Sequence, residues 1–363
     1  MMNMITAYLK RFLPICLLPL LLLCTSCHQE IDLSADYKDI SFSYAMLDRN
    51  DSLHYFKIYK GFLTDENAYV QAGDWENIYY PIDSIEVRLE EYNAGHVLLR
   101  SQVLDTTTAV PKEEGWFANP KQLLYYSNWV LDANNSYRLV IRHRNTGEEV
   151  YAETPIVGRF SVRRPINSWN MNLETPYALQ FYQAQNAAAY DILLTFAYIE
   201  VNNTTGAIEH KTFTKRLNSD VIRTPSATGE ITYSSFSPSE FFNYLPQYIE
   251  ENPNVTRYID AIDGQPYKCF RLTIWAASAD FMNYQEVSTP SSSIVDNRLE
   301  YTNFISDNEN AYGLLASRTS THTDLMMDNL AHNEDTLVLS PRLHHLHFGY
   351  YRNSPLFPLE KRR

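Results

Sequence analysis

Short runs of alternating apolar and polar residues, separated by turn signals, constrain this chain more than any other feature. Ser84-Ile85-Glu86-Val87-Arg88-Leu89-Glu90 alternates with period two, the pattern of a half-buried strand. His54 to Leu63 places Tyr55, Lys57 and Tyr59 on one face and Phe56, Ile58 and Lys60 on the other. His96 to Leu104 is a third such run. Tyr137 to Arg142, a turn at Asn145-Thr146-Gly147, and Glu149 to Ala152 read as a hairpin, with Gly147 supplying the positive φ that short turns need. No helical period separates these runs, which predicts a β-sandwich-like unit over 37–158. The chain is 45% hydrophobic and 20% charged, enough apolar material to bury a core. It has 27 tyrosines and only 11 glycines, which favours strands and argues against folds built on Gly-rich nucleotide loops. Its 363 residues suit two domains better than one.

Pro155 to Pro165 carries two prolines, Gly158 and three arginines. It is read as the boundary before a second β-rich domain over 166–340, the alternative being a long connection inside one domain. Tyr190 to Ile199 is a nearly continuous apolar strand, expected to be covered on both faces. Asn202 to Gly206 turns it into His210 to Leu217. Ser237-Pro238-Ser239-Glu240 reads as a capping box opening a helix that Pro246 kinks or shortens. Lys268 to Trp275 is a further strand, and Ser278 to Tyr284 a short capped helix. The fold class expected is mainly β, two sandwich-like domains with one or two short helices in the second. Residues 341–363 form a His- and aromatic-rich C-terminal segment.

The N-terminus is an address. Lys10 and Arg11 precede the apolar run Phe12 to Leu23, which is too short to span a bilayer as a helix. Residues 1–26 therefore read as a signal peptide and 27–36 as a linker. Leu23-Cys24-Thr25-Ser26-Cys27 resembles a bacterial lipobox, although the usual Leu position holds Cys24. The resemblance implies that Cys27 becomes the acylated first residue of the mature protein, with several chains making the anchor stable. The alternative is an ordinary cleaved signal with Cys27 incidental. Glu30 and Asp32 resemble the surface-export signal of Bacteroidetes-type lipoproteins, and the lack of Asp directly after Cys27 fits outer-membrane sorting. The expected location is thus the outer membrane, facing the surface or else the periplasm.

Longer stretches carry a wider resemblance. They are Ile58-Tyr59-Lys60-Gly61-Phe62-Leu63-Thr64, Tyr137 to Ile141 with Thr154-Pro155, Phe281-Met282-Asn283-Tyr284, and Thr302-Asn303-Phe304-Ile305 through Asn310 to Arg318. Together they resemble a family of Bacteroidetes outer-membrane lipoproteins with a domain of unknown function, often encoded beside TonB-dependent receptors. Ser306 to Glu309 departs from that pattern as an insertion. The resemblance implies a β-barrel receptor as partner and carries no catalytic residues.

A net charge of −13 excludes a nucleic-acid partner, which would need clustered bases. Arg342 to His347 is the only histidine cluster; on a strand His345 and His347 would share a face, weak candidates for a divalent metal, while a solvated His-rich strand or tail is the plainer alternative. Asp307 to Asn310 and Asp48 to Asp51 are oxygen-rich but lack the calcium-loop pattern. Cys269 lies inside an apolar strand and reads as a small buried hydrophobe. Tyr79-Tyr80, Tyr125-Tyr126 with Trp129, and Tyr350-Tyr351 are aromatic clusters able to stack on sugars or anchor an interface, or else to fill the core. No catalytic or cofactor motif is present, so no cofactor is expected. The function expected is a non-catalytic binding or accessory role; the alternatives are a structural or adhesive envelope component and, less favoured, a glycan hydrolase built on carboxylates scattered in sequence. Cys27→Ala is expected to move the protein out of the outer-membrane fraction; continued fractionation with that membrane would overturn the anchor.

Overall fold

The computed structural model of the chain describes residues 40–62, 67–115, 121–171, 176–217, 222–223, 228–265, 267–288, 301–307, 310–328 and 330–357. Cys27, Asn308 and Glu309 lie outside the described residues. The first half contains β1 (Ser41–Asp48), β2 (His54–Lys60), single-turn helices α1 (Ala68–Gln71) and α2 (Trp75–Ile78), β3 (Ile85–Tyr92), β4 (Leu98–Val103), β5 (Asp105–Thr107), β6 (Leu124–Ser127), β7 (Ser136–His143) and β8 (Glu149–Pro155). The second contains β9 (Val162–Arg164), β10 (Ser168–Trp169), β11 (Tyr177–Tyr182), β12 (Ala189–Asn202), β13 (Ile208–Arg216), β14 (Ile222–Arg223), β15 (Ile231–Phe236) and α3 (Glu240–Tyr248). It continues through β16 (Val255–Ile259), β17 (Lys268–Ala277), α4 (Ala279–Ser288), β18 (Ile305–Ser306), β19 (Ala311–Met327) and α5 (Leu330–Leu339). The fold is mainly β and sandwich-like. Among the described residues no helix is long and apolar enough to cross a membrane.

An 11-stranded sheet runs in the order β13-β12-β17-β19-β1-β2-β6-β5, with β10, β14 and β16 joining it at the side. A five-stranded sheet, β18-β8-β7-β3-β4, covers its β1 end. Alternation explains the core between them: Leu47, Phe56 and Ile58 from one sheet meet Val87, Leu89, Leu139, Ile141 and Ala152 from the other, none above 2% exposed. Burying each such side chain contributes roughly 1.5–3 kcal/mol. β4 and β5 follow one another directly but belong to different sheets, so this stretch turns the corner of the sandwich.

The second core lies where β12, β17 and β19 meet the β15-β11-β9 sheet, α3 and the C-terminal segment. Phe196 is its hub, with ring contacts to Tyr198, Phe213, Phe241, Phe270 and Phe348 at 5.1–6.3 Å. Cys269 is fully buried there, and burial pushes its thiol pKa up, which keeps it protonated and unreactive.

The cores divide between Ile156, in the first, and Val157, in the second. Even so, residues 38–363 form one compact unit. β19 is the reason. Its first half pairs parallel with β1, from Ser41 opposite Ala311 to Asp48 opposite Arg318. Its second half pairs antiparallel with β17, from Ala277 opposite Arg318 to Lys268 opposite Met326. Phe304, Ala311 and Leu315 thereby enter the first core from the far end of the chain. Asn303 extends this edge: its side chain accepts from Leu315 N–H at 3.0 Å and donates to Leu315 C=O at 2.7 Å, standing in for a strand neighbour.

Several local expectations change. Helices are not confined to the second half, since α1 and α2 lie in the first, and among the described residues the second half holds three α-helices rather than one or two. The helix starts two residues later than the expected box: its cap is Ser239, in the right-handed helical region with a side chain that caps nothing, and Glu240 accepts from Tyr244 Oη at 2.8 Å. A turn closed by Glu240 N–H to Ser237 C=O, 3.0 Å, opens α3 instead. Pro246 lies inside the helix two residues from its end, and the bond from Ile249 N–H to Leu245 C=O closes past it. Residues 341–357 are no solvated strand or tail. Leu343, Leu346, Phe348 and Tyr351 are buried in the second core.

Arg257 holds that segment. Only 2% exposed, it donates to Glu200 Oε1 (2.8 Å), Leu346 C=O (2.7 Å) and Glu250 C=O (2.9 Å). Its backbone also bonds His347 C=O and Gly349 N–H. A buried guanidinium is tolerated only with such complete pairing.

Gly313 faces Ser43 across the β1–β19 pair with φ +129°, and a Cβ there would stand 1.8 Å from Ser43 O. Gly313→Ala is expected to cost more than about 3 kcal/mol in urea unfolding. Gly147→Ala, at φ +77° with open space around it, is expected to cost about 1 kcal/mol. Equal losses would refute the close approach at β1–β19.

Candidate functional site

The β2–β3 connection, residues 61–84, is long for a sandwich, and its part from Asn67 onward folds on itself. Asn67 caps α1 by accepting from Tyr69 N–H at 2.9 Å, and Asp74 caps α2 by accepting from Glu76 N–H at 3.0 Å. Asn77 ties the helices together, donating to Gln71 C=O (3.1 Å) and Gln71 Oε1 (2.8 Å). Beneath them Ala72, Ile78, Tyr79 and Leu123 make a satellite core, with Tyr59, Phe62 and Trp75 packed against it. Trp75 and Tyr79 lie 4.3 Å apart by ring centroids, and Tyr59 lies 5.4 Å from Tyr79.

This excursion forms one wall of a cleft of about 750 Å³, within the range of small-molecule sites. Trp75, Tyr79, Leu123, Pro81 and Ile82 supply the apolar lining; Lys60, Glu76 and Asn77 supply the polar groups. Lys60 is half-buried and meets no carboxylate among the described residues. Tyr79 is 2% exposed, and its hydroxyl lies by the Tyr59 hydroxyl and the Leu123 backbone. Burial, then the neighbouring Tyr59 hydroxyl, pushes the Tyr79 pKa up to about 12, so it remains a neutral donor. Tyr69 and Ile82 stand 66% and 63% exposed on the same excursion.

A second cleft, about 360 Å³, lies over β1 and β2 and is bordered by Tyr44, Met46, Asp51, Leu53, Tyr55 and Lys57. The Tyr44 ring meets Tyr284 of α4 edge-on at 6.5 Å.

The aromatic residues singled out in the sequence divide between core and cleft. Tyr79, Tyr80 and Tyr125 are 2%, 7% and 4% exposed, so they are not an exposed platform. Tyr79-Tyr80 follows α2 rather than lying on a strand, and the two rings enter different cores. Tyr80 is held by a 3.0 Å hydrogen bond between its hydroxyl and Ser41 Oγ. On β6 the strand rule holds: Tyr125 points inward and Tyr126 is half-buried opposite Tyr55. Trp129 is half-buried beneath the Arg100 guanidinium, 3.9 Å from its ring centroid. Trp75, Lys60, Glu76, Asn77 and Ile82 were not singled out. The signal for them was the Asp74-Trp75 and Asn67-Ala68 start pattern, each an N-cap before a helical turn.

His345 and His347 do not share a strand face. His344–Leu346 is a 3₁₀ turn, and His347 follows it in the left-handed region. That turn's period of three brings His344, not His345, near His347, at 6.3 Å between rings. Among the described residues no group of three or more His, Cys, Asp or Glu could hold a metal.

No family model matches this chain, and no curated protein sequence matches it. The C-terminal globular domain of an oligosaccharyltransferase from Pyrococcus abyssi is similar at 13% identity over 59% of this chain and 40% of that one, with TM-score 0.22. CBD12 from CALX1.2 is similar at 11% identity over 79% of this chain and 99% of that one, with TM-score 0.17. Likenesses this slight bear on neither the site nor its chemistry.

Glu91 anchors the network beside Trp129. It is 5% exposed and accepts from Tyr137 Oη and Asn135 Nδ2, both at 2.7 Å, and from Arg100 Nε. Desolvation raises its pKa, but the bonds from Tyr137, Asn135 and Arg100 outweigh it and hold the carboxyl below its ordinary 4.5. A depressed pKa stabilises the fold above the unfolded value, and that contribution fades as pH falls through 4.5 toward the folded pKa. Glu91→Gln is therefore expected to cost about 1–3 kcal/mol at pH 7, and less as the pH is lowered through 4.5. Urea titrations at several pH values check this; a cost that does not shrink would refute it.

Proposed function

We propose that this chain is a lipid-anchored outer-membrane surface protein with a non-catalytic binding role, serving as an accessory to a TonB-dependent transporter. The observation that carries the binding role is the 750 Å³ cleft with its aromatic wall and half-buried Lys60. The anchor rests on Leu23 to Cys27 and the apolar run before it. β1 begins at Ser41, 14 positions after Cys27. The transporter as partner rests on the family resemblance, an association rather than a physical argument.

A second reading, a structural or adhesive envelope component, has an observation of its own. β4 is the last strand of the five-stranded sheet, and Leu98, Leu99 and Val103 on it are 48%, 52% and 57% exposed, beside Val130 at 83%. Exposed apolar edge strands are natural sites for contact with another chain. Purification from detergent-solubilised outer membrane separates the readings. Under the first, a β-barrel receptor co-purifies and is kept with Leu99→Glu. Loss with Leu99→Glu alone favours the second, and recovery of no partner counts against both.

A further inference from the structure

We propose that the cleft bordered by α2 takes a neutral oligosaccharide, one ring of which lies against Trp75. The inference rests on the binding role above and names its ligand. The lining excludes other classes by its chemistry. An acyl chain wants an enclosed apolar slot, yet Lys60, Glu76 and Asn77 all border this cleft. A phosphorylated or polyanionic ligand wants clustered cations; here Lys60 is balanced by Glu76, on a chain with net charge −13. A purely aromatic ligand would leave those polar groups desolvated and unpaired.

A sugar ring answers both halves of the lining. Its axial C–H face is apolar and packs on an aromatic ring, while its equatorial hydroxyls each donate and accept. Trp75 is half-buried with one side packed on Tyr79, so the indole is braced before a ligand arrives. Around it stand an ammonium that donates, Lys60, and a carboxylate that accepts, Glu76. The Asn77 amide nitrogen is committed to Gln71, which leaves its carbonyl oxygen as an acceptor of fixed position. Donors and acceptors bordering an aromatic wall suit hydroxyls, whose hydrogen can turn either way. Bracing by the Asp74 cap and the Asn77–Gln71 bonds keeps these groups in place, so little ordering is needed on binding.

The test uses the full lipidated chain, purified in a zwitterionic detergent without a sugar headgroup. It is titrated with maltohexaose, cellohexaose, mannohexaose and xylohexaose, followed by heat and by tryptophan fluorescence, with oligogalacturonate as the anionic control. At least one neutral oligosaccharide is expected to bind and to change the fluorescence. Trp75→Ala is expected to weaken binding at least tenfold and Asn77→Ala several-fold, with circular dichroism unchanged. Trp75→Phe is expected to remove the fluorescence change while keeping part of the heat. No binding by any neutral oligosaccharide overturns the proposal, as does tighter binding of oligogalacturonate, or binding indifferent to both Trp75→Ala and Asn77→Ala. The two readings fail separately. If sugars do not bind but Trp75→Ala still releases a co-purifying receptor, the cleft is a protein site and only the ligand assignment falls.

Discussion

The pairing of β19 with two different strands is the constraint on which the rest of the structure depends. Its first half completes the sheet that β1 and β2 begin, and its second half completes the sheet of β12 and β17. Neither core closes without it, since Leu315 fills one and Leu325 the other. The β1–β19 pair also joins residues 41–48 to 311–318, nearly the whole described chain apart. Such non-local pairing costs loop entropy before it returns any stability. Gly313 lets the two backbones approach at Ser43, which no side chain would allow.

The second half is locked by a different device. Arg257 reaches from β16 into the C-terminal segment and satisfies the carbonyls of Leu346 and Glu250 while pairing with Glu200. The segment is thereby bent into a 3₁₀ turn with Leu346 inward, and the histidines around it are placed by that turn. With Phe348 and Tyr351 committed to the core, the residues left to meet a ligand lie elsewhere. The β2–β3 excursion is where the fold has length to spare, and loops held on a rigid sandwich are where binding groups commonly sit.

Much of the fold was legible in the chain itself. The alternation from Ser84 onward became β3, the Gly147 turn became the β7–β8 hairpin, and the apolar run at Tyr190 became the long central strand β12. The buried Cys269 followed from its neighbours in the same way. The site was legible only in part. Tyr79 is visible as half of an aromatic pair, but whether adjacent rings face opposite ways depends on the backbone, as they do on a strand. A helical turn ending at Ile78 places them otherwise, with both rings buried. The His345–His347 spacing depends on the backbone in the same way: on a strand the two share a face, but here the backbone follows period three.

What the sequence determined by itself was the class of fold and the local elements, because side-chain alternation and turn chemistry act between residues a few positions apart. The lipobox-like Leu23 to Cys27 belongs to the same level, since its meaning is carried by neighbouring residues alone. Only the tertiary structure decided that β19 would bind the two halves into one unit, and that Lys60, Trp75 and Asn77 would border a common cleft. Those outcomes depend on backbone register and on which face each element turns inward. Hydrogen bonds between distant strands set both, and no local pattern encodes such partners.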